Sequence, residues 1–416
     1  MKPRIVIAIL MSAQAMLAAD NLLPIPPTPR KPVVDDYQGT KVTDDYRWLE
    51  NGADTEVRDW SRAQNARTRA YLDRLPMREE LVARLKALHA TRSPRFSDLQ
   101  YRGGTLFAIE TQPPKLQSFL VTLASPDDAA SARPVVDPNA LDPTGATSID
   151  FYAPSLDAKL VAVSLSKNGS EDGSVSVFEV ASGKRLPDLI PRVNFATAGG
   201  SVAWKADSTG FWFTRYPHTG ERPPGDINFY QQIYFHKLGG GEEYALGREL
   251  PRIAEIALTT SDSGRFLLAR VADGDGGDFL NYMRMPDGRW HQITRLADKI
   301  SLARFGPDDS LYMLSRDDAP MGKILELSPP SYLLSAAKTV VTPGRSSIED
   351  FRVAGSHLIV HYMAGGPSKL LDKEPGKSER TVEIGAVSSV GEIARVGDQI
   401  LFESQSFVDP PAWFRY

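Results

Sequence analysis

A chain of 416 residues that is 42% apolar and 24% charged has an ordinary globular composition, long enough for one large domain or two of medium size. The formal net charge of -4 comes from charges scattered along the chain, without the basic stripe that neutralises phosphates, which argues against nucleic acid as a partner. Zero cysteines remove disulfides, thiolate nucleophiles and thiolate metal ligands together.

At the N-terminus, Lys2 and Arg4 precede an apolar run from Ile5 to Met11 and two small-residue stretches, Ser12-Ala13-Gln14-Ala15 and Ala18-Ala19-Asp20. This layout predicts a secretory signal peptide over 1–19, cleaved after Ala15 or Ala19, and hence a periplasmic or secreted protein. The alternative is a frayed helix of a cytosolic protein. The run is too short for a membrane anchor. Residues 20–32 read as a Pro-rich extended arm, with five prolines between Leu22 and Pro32 that argue against any packed element.

Residues 33–95 read as a short helical segment. Val57, Trp60, Ala63 and Gln64 share one helical stretch, Leu81, Leu85 and Leu88 fall at i, i+4, i+7 on another, and Pro76 separates the two.

From residue 96 to 416 the period becomes alternating. Seven strand pairs joined by Gly, Asp, Asn or Pro turns start near Thr105, Leu160, Gly210, Arg265, Ser310, His357 and Gln399, at spacings of roughly 40–55 residues. Leu160–Leu165 answered by Val175–Val180, and Phe211–Thr214 answered by Ile233–His236, show the alternation plainly. Each pair reads as the middle of a four-stranded blade with weaker outer strands, and blades must stack around an axis to cover their faces. The predicted fold is an all-β, seven-bladed β-propeller preceded by the helical segment. A β-sandwich, the rival, rarely exceeds ~250 residues as one domain.

Several blocks carry a family likeness. Asp36-Tyr37-Gln38-Gly39, then Val42-Thr43-Asp44-Asp45-Tyr46-Arg47-Trp48-Leu49-Glu50, Trp60, Ala63-Gln64-Asn65 and Tyr71-Leu72 resemble the N-terminal signature of the prolyl oligopeptidases. Val136-Asp137-Pro138-Asn139, Gly183-Lys184-Arg185-Leu186-Pro187-Asp188, Ala203-Trp204, Gly210 to Pro217, Gln232 to Gly239 and Ser404 to Pro411 resemble that family's blades in the right order. Gln38 stands where the family usually has His, and Asp45 where it usually has Pro. The segment from Glu249 to Thr342 matches only as a pattern of strands.

The resemblance implies a propeller that caps an α/β-hydrolase domain and screens substrates for a serine endopeptidase cleaving short peptides after proline. It implies proline-containing oligopeptides as partners once a hydrolase domain is joined. Oligopeptidase B and acylaminoacyl peptidase share the architecture, but the Asp-Tyr-Arg-Trp-Leu-Glu and Leu-Pro-Asp runs favour the prolyl branch.

Chemistry is hard to find in the chain itself. A hydrolase nucleophile needs Gly-x-Ser-x-Gly on a strand-to-helix elbow. The nearest run, Gly199-Gly200-Ser201-Val202-Ala203, continues into Trp204-Lys205-Ala206-Asp207 and reads as strand and turn. Without an elbow, His89, His218, His236, His291, His357 and His361 have no triad role. His236 and His361 read as strand-end residues facing solvent or the axial channel.

Asp273-Gly274-Asp275-Gly276-Gly277-Asp278 lacks the twelfth-position glutamate of a calcium loop and reads as a turn. Gly239-Gly240-Gly241 lacks the lysine and helix of a phosphate loop. Two carboxylates facing the channel would make a glycosidase, and sequence alone does not say which two converge. No residue is assigned as catalytic, cofactor-binding or metal-ligating, and no cofactor is expected. The α/β-hydrolase domain is expected to be absent and the chain, as a truncated peptidase, to be inactive. It is expected to self-associate through the orphaned interface near Trp48 and Trp60. The alternative is a standalone exported propeller that binds peptides or a partner protein.

Overall fold

The computed structural model describes residues 23–90 and 93–416, and the chain divides after residue 91 into two compact units. The expected signal peptide lies outside the described residues.

The smaller unit opens with residues 23–32 in neither helix nor strand. This Pro-rich arm is nevertheless held down. Trp48 Nε1 donates to the Pro29 carbonyl at 3.0 Å, Trp60 Nε1 to Thr28 Oγ1 at 2.9 Å, and Lys31 lies over the Trp48 ring while bonding Glu56. Proline removes donors and fixes an extended backbone, but it leaves carbonyls free to accept from indoles. The two tryptophans meet edge to face at 6.4 Å.

The segment expected to be helical over 33–95 begins with a two-stranded hairpin, β1 (Val33–Tyr37) and β2 (Thr40–Asp44). Helix α1 (Thr55–Leu72) follows, its first turn capped by the Asp54 carboxylate accepting from Glu56 N. Helix α2 (Arg78–His89) begins two residues after Pro76.

The larger unit holds seven antiparallel sheets, six with four strands and the last with three. In chain order these blades span residues 95–136, 147–194, 202–246, 254–294, 300–341, 347–382 and 389–415. Their first strands, Arg95–Arg102, Thr147–Pro154, Val202–Trp204, Ala254–Thr260, Ile300–Phe305, Ser347–Ala354 and Ser389–Val396, line the axis, and those of blades 2 and 3, 3 and 4, 5 and 6, 6 and 7, and 7 and 1 contact each other. Every strand pair anticipated from sequence is the second and third strand of a blade. In blades 1 to 6 those strands are flanked by sheet on both sides and so read as largely apolar runs.

Seven apolar clusters fill the seven seams between neighbouring blades. Burying one such aliphatic or aromatic side chain stabilises by ~1.5–3 kcal/mol. The seam that closes the ring, between blades 7 and 1, is the thinnest. Blade 7 contributes one fully buried residue, Leu401, with Val396 and Trp413 half-buried beside it. No strand is shared across this seam.

Polar groups complete it instead. Asp98 sits at φ +47 where the register of the first strand slips between Ser97 and Gln100, a left-handed conformation that costs an L-residue roughly 1 kcal/mol. Glu392 of blade 7 accepts from the backbone N–H groups of Asp98 and Leu99, at 2.7 and 2.6 Å. Tyr152 of blade 2 donates to the Asp98 carbonyl from the other side. Trp413 Nε1 donates to Phe96 O at 2.9 Å, and Arg415 pairs with Asp127.

Blade 6 meets blade 7 through a second polar knot. The fully buried Asp372 carboxylate bonds His357 Nδ1 at 2.9 Å, Arg380 Nη2 at 2.7 Å and Tyr416 Oη at 2.8 Å. Burial pushes this carboxyl up, but the bonds from His357, Tyr416 and Arg380 outweigh it and hold the group below the ordinary aspartate range.

Two outcomes follow. Glu392→Ala leaves two amides without their carboxylate and lowers stability by about 2 kcal/mol in chemical denaturation, with Glu392→Gln recovering part of the loss. Because Asp372 is depressed on folding, its contribution is full above the ordinary aspartate value near 3.9 and is lost as pH falls through the lower folded value. The stability gap between wild type and Asp372→Asn, about 2 kcal/mol at pH 6, therefore narrows below about pH 4 in urea titrations; a gap unchanged at pH 2.5 would contradict this.

Candidate functional site

The alternation of a β-strand sends every second side chain of a first strand toward the axis. Polar residues occupy many of these positions, among them Asp98, Gln100 and Arg102 of blade 1. With Tyr152, Trp204 and Thr260 they line a cavity of about 310 Å³ among blades 1 to 4.

One end of the channel is bridged. Asp262, in the turn after the first strand of blade 4, pairs with Arg395 of blade 7 and lies 3.6 Å from Arg102 of blade 1. In a seven-membered ring blade 4 stands opposite the closing seam, so these contacts cross the axis. Burial, the stronger influence, and the neighbouring Arg395 push the Arg102 guanidinium down, opposed by Asp262.

A second charged group lies on the wall of blades 4 to 6. Asp350 accepts from Arg352 Nη1 at 2.7 and 2.6 Å and from Arg304 Nη2 at 3.1 Å, and also from the Phe351 amide. Arg270 approaches from the second strand of blade 4 with its guanidinium 4.5 Å from the Phe279 ring. Burial first, then the nearby Arg352, pushes Arg304 down to about 10. Burial would raise Asp350, yet Arg304 and Arg352 hold it below the usual carboxylate range.

The run Gly199 to Ala203 is no nucleophile elbow. Ser201 leads into the strand Val202–Trp204, its Oγ accepts from Leu258 N at 2.9 Å, and no helix follows. Gly239–Gly241 is the turn of a hairpin, and Asp273–Asp278 joins two strands of blade 4.

The histidines are scattered. His89 closes α2, His218 lies 4.0 Å from Glu242, and His291 is on the outer strand of blade 4. His236 and His361 are buried inside strands and do not face solvent as their alternation suggested. His236 Nε2 pairs with Asp188 at 2.8 Å beneath the Phe211 ring. His361 Nε2 meets Ser368 Oγ at 2.8 Å, and burial pushes its ring down.

The Ser368 and His361 pair has the distance of a nucleophile and base, but Ser368 Oγ also accepts from Val390 N at 2.9 Å and sits within a regular strand. No hydrogen-bonded carboxylate orients the ring. Asp98 and Glu392 are two channel-side carboxylates of the kind a glycosidase uses, but both oxygens of Glu392 are spent on backbone amides. Among the described residues no group of three or more His, Asp or Glu is placed to hold a metal ion.

Sequence reasoning missed the Asp262 bridge and the arginine group. The available signal was charge at alternating positions on the strand before an apolar pair, as in Asp350-Phe351-Arg352.

The family model for the prolyl oligopeptidase N-terminal β-propeller domain matches residues 26–416. A prolyl endopeptidase of Elizabethkingia meningoseptica is 24% identical over 408 residues, covering 95% of this chain and 56% of its own length. Prolyl oligopeptidase A of Galerina marginata is 30% identical over 283 residues, 59% of this chain and 37% of that protein. A prolyl endopeptidase structure, solved in work on inter-domain dynamics in catalysis and specificity, superposes with a TM-score of 0.83 at 25% identity over 94% of this chain and 58% of its own. Prolyl oligopeptidase B of Galerina marginata, bound to a 25-residue macrocyclization substrate, gives 0.81 at 19% identity. The chain thus spans little more than half the length of the first of these relatives and of the superposed structure.

Replacing Asp350 with Asn leaves Arg304 and Arg352 without their carboxylate. The expected loss, about 2 kcal/mol because the group keeps partial access to channel water, shrinks as chloride is raised from 0.05 to 0.5 M in urea titrations.

Proposed function

Because the chain belongs to the prolyl oligopeptidase family through its N-terminal β-propeller, we propose that it is the substrate-screening portion of a serine endopeptidase cleaving short peptides after proline. The observation that carries this reading is an axial channel bridged at one end by Asp262, Arg102 and Arg395, in a chain without Gly-x-Ser-x-Gly. A bridged channel admits a slender, flexible peptide and refuses a folded protein. The bond-breaking groups of such an enzyme would lie in the further length that the relatives carry, and this chain alone is expected not to turn over substrate.

The occupant of one exposed face supports the same reading. Leu72, Leu75, Met77, Leu81 and Leu85 surround an apolar hollow on the turn and second helix of the smaller unit, and each is more than a third exposed. Continuous apolar exposure of this kind marks a surface that is covered in use. The match covers 56% of the first relative's own length, and a hydrolase domain encoded in the remainder is the occupant we assign. In its absence the face is expected to pair with a second copy. Lys2, Arg4 and the small residues before Asp20 support export to the periplasm or beyond the cell.

Purified chain incubated with a chromogenic Gly-Pro anilide is expected to release no product above the buffer rate. Turnover that His361→Ala abolishes would overturn the reading and move catalysis to the Ser368 pair. In sedimentation, wild type is expected to associate and the double variant Leu81→Lys, Leu85→Lys to run as a monomer. A monodisperse wild-type monomer would contradict the uncovered-interface assignment.

A further inference from the structure

We propose that the guanidinium groups of Arg270, Arg304 and Arg352 form a carboxylate-binding site in the channel wall, taking the terminal carboxylate of a short peptide. Arg304 of blade 5 and Arg352 of blade 6 bond one carboxylate, Asp350, and Arg270 of blade 4 lies near enough to feel its charge. That oxygen pair already accepts from Arg352, Arg304 and the Phe351 amide.

Each guanidinium carries five N–H donors. Arg304 uses Nη2 on Asp350, and its buried Nε has no acceptor. Arg270 likewise has a buried, unpartnered Nε, and its flat face is occupied by the Phe279 ring. Arg352 spends Nη1 on Asp350 and on the Phe351 carbonyl at 3.0 Å. The group is accessible from the channel: the Arg304 side chain is 33% exposed and that of Arg352 18%.

The unspent donors indicate what would fill the gap. The Nε groups of Arg270 and Arg304 are buried without an acceptor, while both oxygens of Glu392 are already committed to the Asp98 and Leu99 amides. A carboxylate supplies acceptors of the kind these donors lack. The contact of both Asp350 oxygens with Arg352 shows that this wall accepts carboxylate geometry. Only the choice of a peptide as the source rests on the proposed function; the anion site stands on the geometry alone.

Calorimetric titration of the full chain at pH 7 in low chloride tests this with N-acetyl-Gly-Pro, its C-terminal amide and inorganic phosphate as probes. The expected result is saturable one-to-one binding of the free acid, at least tenfold weaker binding of the amide, and at least tenfold loss in Arg304→Gln and Arg270→Gln. Thermal melting establishes which variants are folded, and wild-type affinity for the acid must also fall as chloride rises. Equal binding of acid and amide, or folded variants with unchanged affinity, would overturn the site. Phosphate binding without binding of the acid would overturn the peptide assignment. Because no turnover is measured, failure here leaves the reading of the chain as a peptidase propeller standing, and the reverse also holds.

Discussion

The ring of blades depends on how its last seam is held. Six seams are filled by clusters to which both neighbours contribute several buried side chains, whereas blade 7 gives the seventh only Leu401 in full burial. The deficit is met by directed contacts: Glu392 on two amides, Trp413 on the Phe96 carbonyl and Arg415 on Asp127. Hydrogen bonds to a charged group contribute ~1.5–3 kcal/mol each, comparable with one buried aliphatic side chain. Such bonds are also geometric, and Glu392 reaches its two amides because Asp98 takes up a left-handed backbone. Two slipped registers, one around Asp98 and one between Val390 and Ile393, face each other across the seam.

The same seam is tied to the far side of the channel by Asp262. A contact across the axis cannot hold if the ring spreads, so closure of the seam and narrowing of the mouth are mechanically one event. This links a packing feature to the channel's geometry: what keeps blades 1 and 7 together also sets the width of its bridged end. The arginines of blades 4 to 6 lie on a wall whose seams are apolar and continuous.

Much of this was legible in the sequence, for a physical reason. Second and third strands are covered on both faces and flanked on both edges, so Val161–Val163 and Phe211–Phe213 announce themselves as apolar runs with turns between them. First strands were harder to see because they face a wet axis and mix Gln100, Arg102 or Arg304 into their pattern, and one is only Val202–Trp204. The Pro-rich arm was read as unpacked from its composition, yet its carbonyl and threonine groups serve two tryptophans that sequence gave no reason to place beside it. His236 and His361 were misread because alternation reports a face and not whether a neighbouring blade covers it. The arginine group was out of reach for the same reason, since Arg270, Arg304 and Arg352 come together only when three blades stack.

The most direct test of the central claim is native-state hydrogen exchange of the chain, resolved to individual strands. If side-chain contacts close the ring, amides of Arg95–Arg102 and Ser389–Val396 exchange together through a partial opening, before the first strands of blades 2 to 5 and at an energy below global unfolding. Protection that is uniform around all seven first strands, or an opening that begins between blades 3 and 4, would contradict it.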